Sequence, residues 1–238
     1  MTAAIDYKTL VQDDRIHASL YTDPRIFDDE LERIFGRGWV FVGHDSEIPG
    51  AGDFVTRRIG TEPVIMVRGA DGGVAVLVNR CMHRGTMLCP ADRGRARTFT
   101  CPYHGWTYDI SGALLGVPYP GGHSSFDKSA HGLARAPRVS SYRGFVFASL
   151  SPAGISLAEH LGLATRLIDR SCDLSPVGEI ELSAGLDQAS VRRQLEGAAR
   201  ERQRRLPSRV RPSLALHDGA LAVPARGRRR EGDQGGRA

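Results

Sequence analysis

The chain has 238 residues and a formal charge of +5, with 41% hydrophobic residues and 25% charged ones. No run of about 18 apolar residues occurs, which excludes a membrane-spanning helix on sequence grounds. Met1 to Leu10 lacks the basic start and apolar core of a secretion signal, so a cytoplasmic location is the expectation. The length suits one good domain or two small ones. The charge is unevenly placed: residues 186–238 hold thirteen Arg and six acids, or +7, which leaves −2 on residues 1–185. Of the four cysteines, Cys89 and Cys172 read as small buried or half-buried thiols in a reducing compartment, and Cys81 and Cys101 fall in the motifs taken up below.

Residues 1–38 read as an N-terminal segment with one helix. Thr22 or Asp23 is a helix cap, Pro24 suits the first helical position, and Gly36 is a stop. Ile26, Phe27, Leu31, Ile34 and Phe35 recur at helical spacing, so a helix is predicted over 24–35 with that face in the core. Residues 39–152 read as the main domain. Short strands are predicted at Trp39–Gly43, Phe54–Ile59, Val64–Arg68, Val74–Asn79, Thr98–Cys101, Thr107–Asp109, Val139–Tyr142 and Phe145–Ser149. Gly72-Gly73 and Ser111-Gly112 are turns between them. Many short strands with regular turns predict a mainly β fold of small antiparallel sheets. Residues 116–134 read as a long loop. Residues 153–185 read as a linker: Ser156 caps a helix through Leu157, Leu161, Leu163, Leu167 and Ile168, and Glu179–Leu182 is a strand. From 186 to 238 aromatic residues are absent and Arg is abundant, which predicts a disordered basic tail.

The chemistry concentrates in two short loops. Cys81-Met82-His83 is C-x-H and Cys101-Pro102-Tyr103-His104 is C-x2-H. Each loop therefore supplies one soft thiolate and one neutral imidazole. A [2Fe–2S] cluster of Rieske type uses that set, with two Cys on one iron and two His on the other. The same four residues could hold zinc. Classical zinc fingers, though, take a Cys pair from one loop and a His pair from a helix.

On these residues the segment from about Tyr21 to Pro152 resembles the Rieske domain of the large (alpha) subunit of aromatic ring-hydroxylating dioxygenases. The likeness runs through Tyr21-Thr22-Asp23-Pro24, Arg33 to Trp39, Gly43-His44, Gly52-Asp53, Asn79-Arg80-Cys81 and His83-Arg84-Gly85. It continues through Cys101 to Tyr108, Gly112 and Gly116-Val117-Pro118. The resemblance implies that Cys81, His83, Cys101 and His104 hold the cluster, with Arg84, Gly85, Gly105, Trp106 and Tyr108 around it. Gly85 and Gly105 would permit tight turns. Tyr108 stands where high-potential Rieske proteins place a Tyr donor to a ligand sulfur. Trp106 stands where they place a Ser donor, so one donor is missing and a low potential is implied. Some Rieske proteins brace the cluster with a disulfide; the second Cys of that pair is Tyr103 here, so Cys89 should be free.

The resemblance also implies a catalytic domain after residue 182, holding mononuclear Fe(II) through two His and a carboxylate. The tail carries no such pattern in frame. Back-translated with free third bases and read one base later, Leu186 to Pro212 can encode WIKHRFAANWKALPENDSDGYHPAFVH. The codons of Arg204, Pro207 and Pro212 then supply an Asp, a His and a His at the family's D-x-x-H-x4-H spacing. A single-base frameshift near Ala184 to Leu186 is the expectation. Intact relatives would form trimers or hetero-oligomers with a small subunit and would take electrons from a reductase or a ferredoxin. The chain would then be the electron-transfer part of an oxygenase large subunit, itself inactive as an oxygenase. A stand-alone Rieske ferredoxin is the alternative, though the helix at 24–35 and the strand at 179–182 are more than a minimal ferredoxin needs. A zinc module with a nucleic-acid-binding arm is a third reading. The arm lacks aromatic residues for base stacking, so no nucleic-acid partner is expected.

Overall fold

The computed structural model describes residues 5–118 and 126–182. Two short helices, α1 (Tyr7–Leu10) and α2 (Ser19–Thr22), lead into α3 (Pro24–Glu30). Asp23 caps α3 by accepting from the Arg25 N–H at 3.0 Å, and Pro24 sits in the first turn, as the sequence indicates. The helix does not run on in α form to residue 35. Leu31–Phe35 is a π turn, closed by Gly36 N–H donating to the Leu31 carbonyl at 2.8 Å. This wider turn sets both Leu31 and Phe35 against Gly60, about 3.1 Å from where a Cβ there would lie. The predicted apolar face holds at Ile26, which is buried, and fails at Ile34, which is exposed; Glu30 is buried instead.

Among the described residues ten strands make three antiparallel sheets. They are β1 (Val40–His44), β2 (Asp53–Ile59), β3 (Glu62–Arg68), β4 (Val74–Val78), β5 (Arg93–Arg95), β6 (Thr98–Thr100), β7 (Thr107–Asp109), β8 (Leu114–Gly116), β9 (Arg138–Tyr142) and β10 (Phe145–Ser149). The orders are β1-β10-β9, β4-β3-β2-β5 and β6-β7-β8. All eight predicted strands between 39 and 149 form, with ends shifted by a residue or so. Two were missed. β5 is the sequence Arg-Gly-Arg, an edge strand with no apolar signal, where Gly94 lets the Phe54 ring approach. β8 ends at Gly116, where the loop read over 116–134 begins, and that stretch contains a 3-10 turn at Lys128–His131.

Within the four-stranded sheet β3 is buried on both faces. Val64 and Met66 point into a cluster with Val42, Ile48, Val55 and Val146, shared with the β1-β10-β9 sheet. Ile65 and Val67 point the other way, into a cluster with Leu77, Phe99, Tyr108, Cys81 and Cys101. Period-two alternation thus serves two cores instead of one core and solvent. The second core carries the chemistry-bearing loops on its rim.

Beyond β10 the predicted helix divides into α4 (Leu157–Leu161) and α5 (Ala164–Cys172). Ser156 and Glu159 form a capping box at the start of α4, and Gly162, with φ +47°, breaks the run. Leu157 is buried, but Leu163 and Leu167 are 78% and 69% exposed. The strand predicted at 179–182 does not form: none of the described strands pairs with it. A strand exists only through its ladder, and here Leu182 N–H instead donates to Ser46 Oγ at 2.8 Å. The tail expected to be disordered, 186–238, lies outside the described residues.

Candidate metal centre

Two loops leave the second core, and their backbones repeat one another. Cys81 N–H donates to the Thr86 carbonyl at 2.9 Å and Gly85 N–H to the Cys81 carbonyl at 2.8 Å. Cys101 N–H donates to the Trp106 carbonyl at 2.8 Å and Gly105 N–H to the Cys101 carbonyl at 2.9 Å. Gly85 and Gly105 turn the chain at the same point with φ of +69° and +70°, a region open to Gly at no steric cost. A side chain at Gly105 would also meet Pro118. The equivalence aligns Tyr103 with His83 and Arg84 with His104. The extra residue in C-x2-H therefore moves the second imidazole one step along an otherwise equal turn.

The loops hang from different supports. The second joins β6 to β7 in a hairpin. The first follows β4 and is closed by an isolated bridge between Arg80 and Met87. Buried Asn79 clips it: Asn79 Oδ1 accepts from Leu88 N–H (3.2 Å) and Cys89 N–H (2.8 Å), while Nδ2 donates to the Cys89 carbonyl (2.7 Å).

The chemistry-bearing side chains meet as two pairs, thiol with thiol in one core cluster and imidazole with imidazole. Cys81 and Cys101 are 2% and 3% exposed, in one cluster, and neither is in a disulfide. The His83 and His104 rings lie 4.7 Å apart, centroid to centroid, at 69°. His83 is exposed and His104 is half-buried. His104 Nδ1 is buried with no hydrogen-bond partner. An imidazole nitrogen left so costs free energy unless it binds something, and a metal is what an unprotonated imidazole nitrogen takes. Among the described residues no three His, Cys, Asp or Glu close around a single ion-sized point. A two-iron cluster does not ask for that, because its donors come as one pair for each iron. The donor set, buried thiols beside paired imidazoles, fits such a cluster.

Tyr108 ties the loops together. Fully buried, its hydroxyl lies 3.4 Å from Cys81 Sγ and accepts from Met82 N–H at 3.1 Å. Burial pushes its pKa well above the ordinary value, and the contact with Cys81 adds to the rise. It therefore stays protonated and able to donate to sulfur. Trp106, expected beside the site, is buried and stacks on His83 at 5.0 Å and 7°. Arg84 is exposed at the loop tip. Asn79, Phe126 and His131 were not singled out in the sequence. The Asn79 contacts span ten residues, and the other two sit in a stretch read only as loop.

The Rieske [2Fe-2S] domain family matches residues 38–134. The chain is 46% identical over 164 residues to the N,N-dimethyl phenylurea N-demethylase subunit alpha of Sphingobium sp. strain YBL2, covering 67% of this chain and 35% of that one. It is 40% identical over 171 residues to the biphenyl dioxygenase subunit alpha of Metapseudomonas furukawaii, covering 68% and 37%. Among solved structures, naphthalene 1,2-dioxygenase from Rhodococcus sp. bound to indole superposes with a TM-score of 0.64 at 40% identity, covering 70% of this chain and 38% of that one. The chain thus spans little more than a third of the length of the curated relatives it matches. It carries a Rieske [2Fe-2S] domain of the type found in the alpha subunits of aromatic-ring dioxygenases.

Proposed function

We propose that Cys81 and Cys101 bind one iron and His83 and His104 the other iron of a [2Fe–2S] cluster, and that the chain serves as an electron carrier. The observation that supports this is the pair of equivalent loops, which brings two imidazoles to 4.7 Å of one another and buries one thiol from each loop. When bound, such a cluster takes up and releases one electron at a time, at a potential set by hydrogen bonds to sulfur and by solvent exposure. With Cys81 as a thiolate, the Tyr108 hydroxyl 3.4 Å away would be the donor to it, and the exposed His83, beside the half-buried His104, would present an edge to a partner. Metal and acid-labile sulfide analysis of the purified chain is expected to give two of each per chain. Stoichiometric zinc without sulfide would overturn the assignment.

The donor in this reading is a reductase or ferredoxin, the setting is cytoplasmic, and the acceptor is a mononuclear iron site that this chain lacks as written. Among the described residues no helix is long and apolar enough to cross a membrane. In the sequence beyond residue 186, His217 is the sole histidine, with no second one at the spacing an iron site needs. Back-translated with free third bases and read one base later, Leu186–Pro212 can encode Asp, His and His in order, which motivates the proposal of a frameshift, in the gene or in its sequencing. Sequencing the coding DNA across codons 180–215 decides it, since codons incompatible with the shifted pattern end the idea. Expressed with a reductase, the chain as written is expected to show no substrate-dependent oxygen uptake, and a frame-restored one to show it with an aromatic substrate.

A further inference from the structure

The two imidazoles of the site are held differently, and the difference points outside the ligand loops. His104 is covered by Tyr103 of its own loop, 3.7 Å between ring centroids, and Tyr103 is 58% exposed. His83 stacks on Trp106 of the opposite loop, nearly parallel at 7° and 5.0 Å between centroids, and Trp106 is 7% exposed. Behind Trp106, the Phe126 and His131 rings meet it edge-on at 5.3 Å and 5.9 Å, and they stack on each other at 4.6 Å. This second layer is anchored in turn. His131 Nδ1 lies 2.7 Å from the Asp127 carbonyl, and Leu133 N–H donates to the Gly112 carbonyl at 2.7 Å.

An imidazole bound through one nitrogen can still swing about that bond. Its ring plane sets how its orbitals overlap with the metal, and surrounding groups fix that plane. The exposed His83 carries its Trp106 stack on one face, and T-shaped contacts from Phe126 and His131 keep the indole from tilting. We propose that Trp106, buttressed by Phe126 and His131, is a positioning residue that locks the His83 ring plane and thereby sets the electronic structure of the bound cluster. The inference rests on the cluster assignment above.

The test compares the reduced holoprotein by electron paramagnetic resonance in Trp106→Leu, Trp106→Phe and Phe126→Leu variants. Trp106→Leu should shift and broaden the g-value pattern and lower the affinity for iron, read by competition with a chelator, by about 10-fold, the lower end for loss of a ligand-orienting group. Trp106→Phe keeps a flat ring against His83 and should restore the pattern most of the way. Phe126→Leu lies outside both ligand loops and should move the g values in the same direction by less. Should Trp106→Leu fail to assemble, Phe126→Leu still decides, and unchanged g values there overturn the proposal. A loaded Trp106→Leu protein with the unaltered spectrum overturns it as well. If the unaltered chain binds no cluster, the cluster assignment falls. The brace is then judged on the chain as purified: a ring-current shift of the His83 ring protons that disappears in Trp106→Leu upholds it, and its absence overturns it.

Discussion

The loop around Cys81 and the loop around Cys101 share one backbone design and rest on unlike foundations. Both close with the same two main-chain hydrogen bonds, and both turn on a Gly with φ near +70°. The second is the turn of a hairpin, so its geometry comes from pairing between β6 and β7, neighbours in sequence. The first has no hairpin and is held by a side chain, Asn79, reaching the backbone of Leu88 and Cys89. The equal turns come from local chemistry that each loop carries within six residues. Their juxtaposition comes from Tyr108, Trp106 and a common core, which no local signal encodes.

The comparison can be broken most completely at the cysteines. Cys81→Ala and Cys101→Ala are each expected to abolish the visible absorption of the cluster, since a single iron needs both thiolates. The domain should also lose stability, because metal binding and folding are coupled. Retention of the full cluster by either variant would remove it from the ligand set.

Asn79→Ala separates the two foundations. It strips partners from two buried N–H groups and one carbonyl of the first loop and leaves the hairpin untouched. A loss of about 3 kcal/mol is expected from those unsatisfied groups, read as a fall in the denaturation midpoint. In hydrogen exchange, residues 80–89 should lose protection while 98–109 keep theirs. Equal loss in both loops would show that they do not stand on separate supports.

Tyr108→Phe cuts the tie between the loops. It should cost about 1 kcal/mol from the lost hydrogen bonds. It should also lower the reduction potential, because a donor to sulfur favours the more negative, reduced form. A potential equal to the unaltered protein's would remove Tyr108 from the tuning of the site. The pH response has a definite sign. Folding raises the Tyr108 pKa, so the native state holds this proton more tightly than the unfolded chain. Its contribution is full below the ordinary tyrosine value of about 10 and is lost as pH rises through the folded value. Alkaline unfolding curves of the unaltered protein and Tyr108→Phe should therefore converge as pH rises above 10.

The smallest effect is expected at the other end of the chain. Ending the protein at residue 185 should leave iron and sulfide content unchanged, because the core cluster that holds Cys81 and Cys101 is built, among the described residues, from Phe54 to Leu133. Loss of cluster on that deletion would mean that residues 186–238 take part in the site.

The sequence by itself named the four candidate ligands and eight of the ten strands among the described residues, and narrowed the cap of α3 to Thr22 or Asp23. These are properties of short stretches: ligand spacing, alternation, and an Asp before a Pro. It also placed Tyr108 and Trp106 beside the site, on the strength of a resemblance and not of geometry. What it could not decide were relations between distant stretches. The π turn at Leu31–Phe35 packs against Gly60, a neighbour only in the fold. The Arg-Gly-Arg edge strand has no pattern until β2 offers it a ladder. Glu179–Leu182 has a strand-like pattern, and Leu182 binds Ser46 instead. The stack of His83, Trp106, Phe126 and His131 joins segments up to 48 residues apart in the numbering. Spacing along a chain reports which groups can share one turn. Which turns share one core is settled by packing, where long-range contacts decide which face each ring presents.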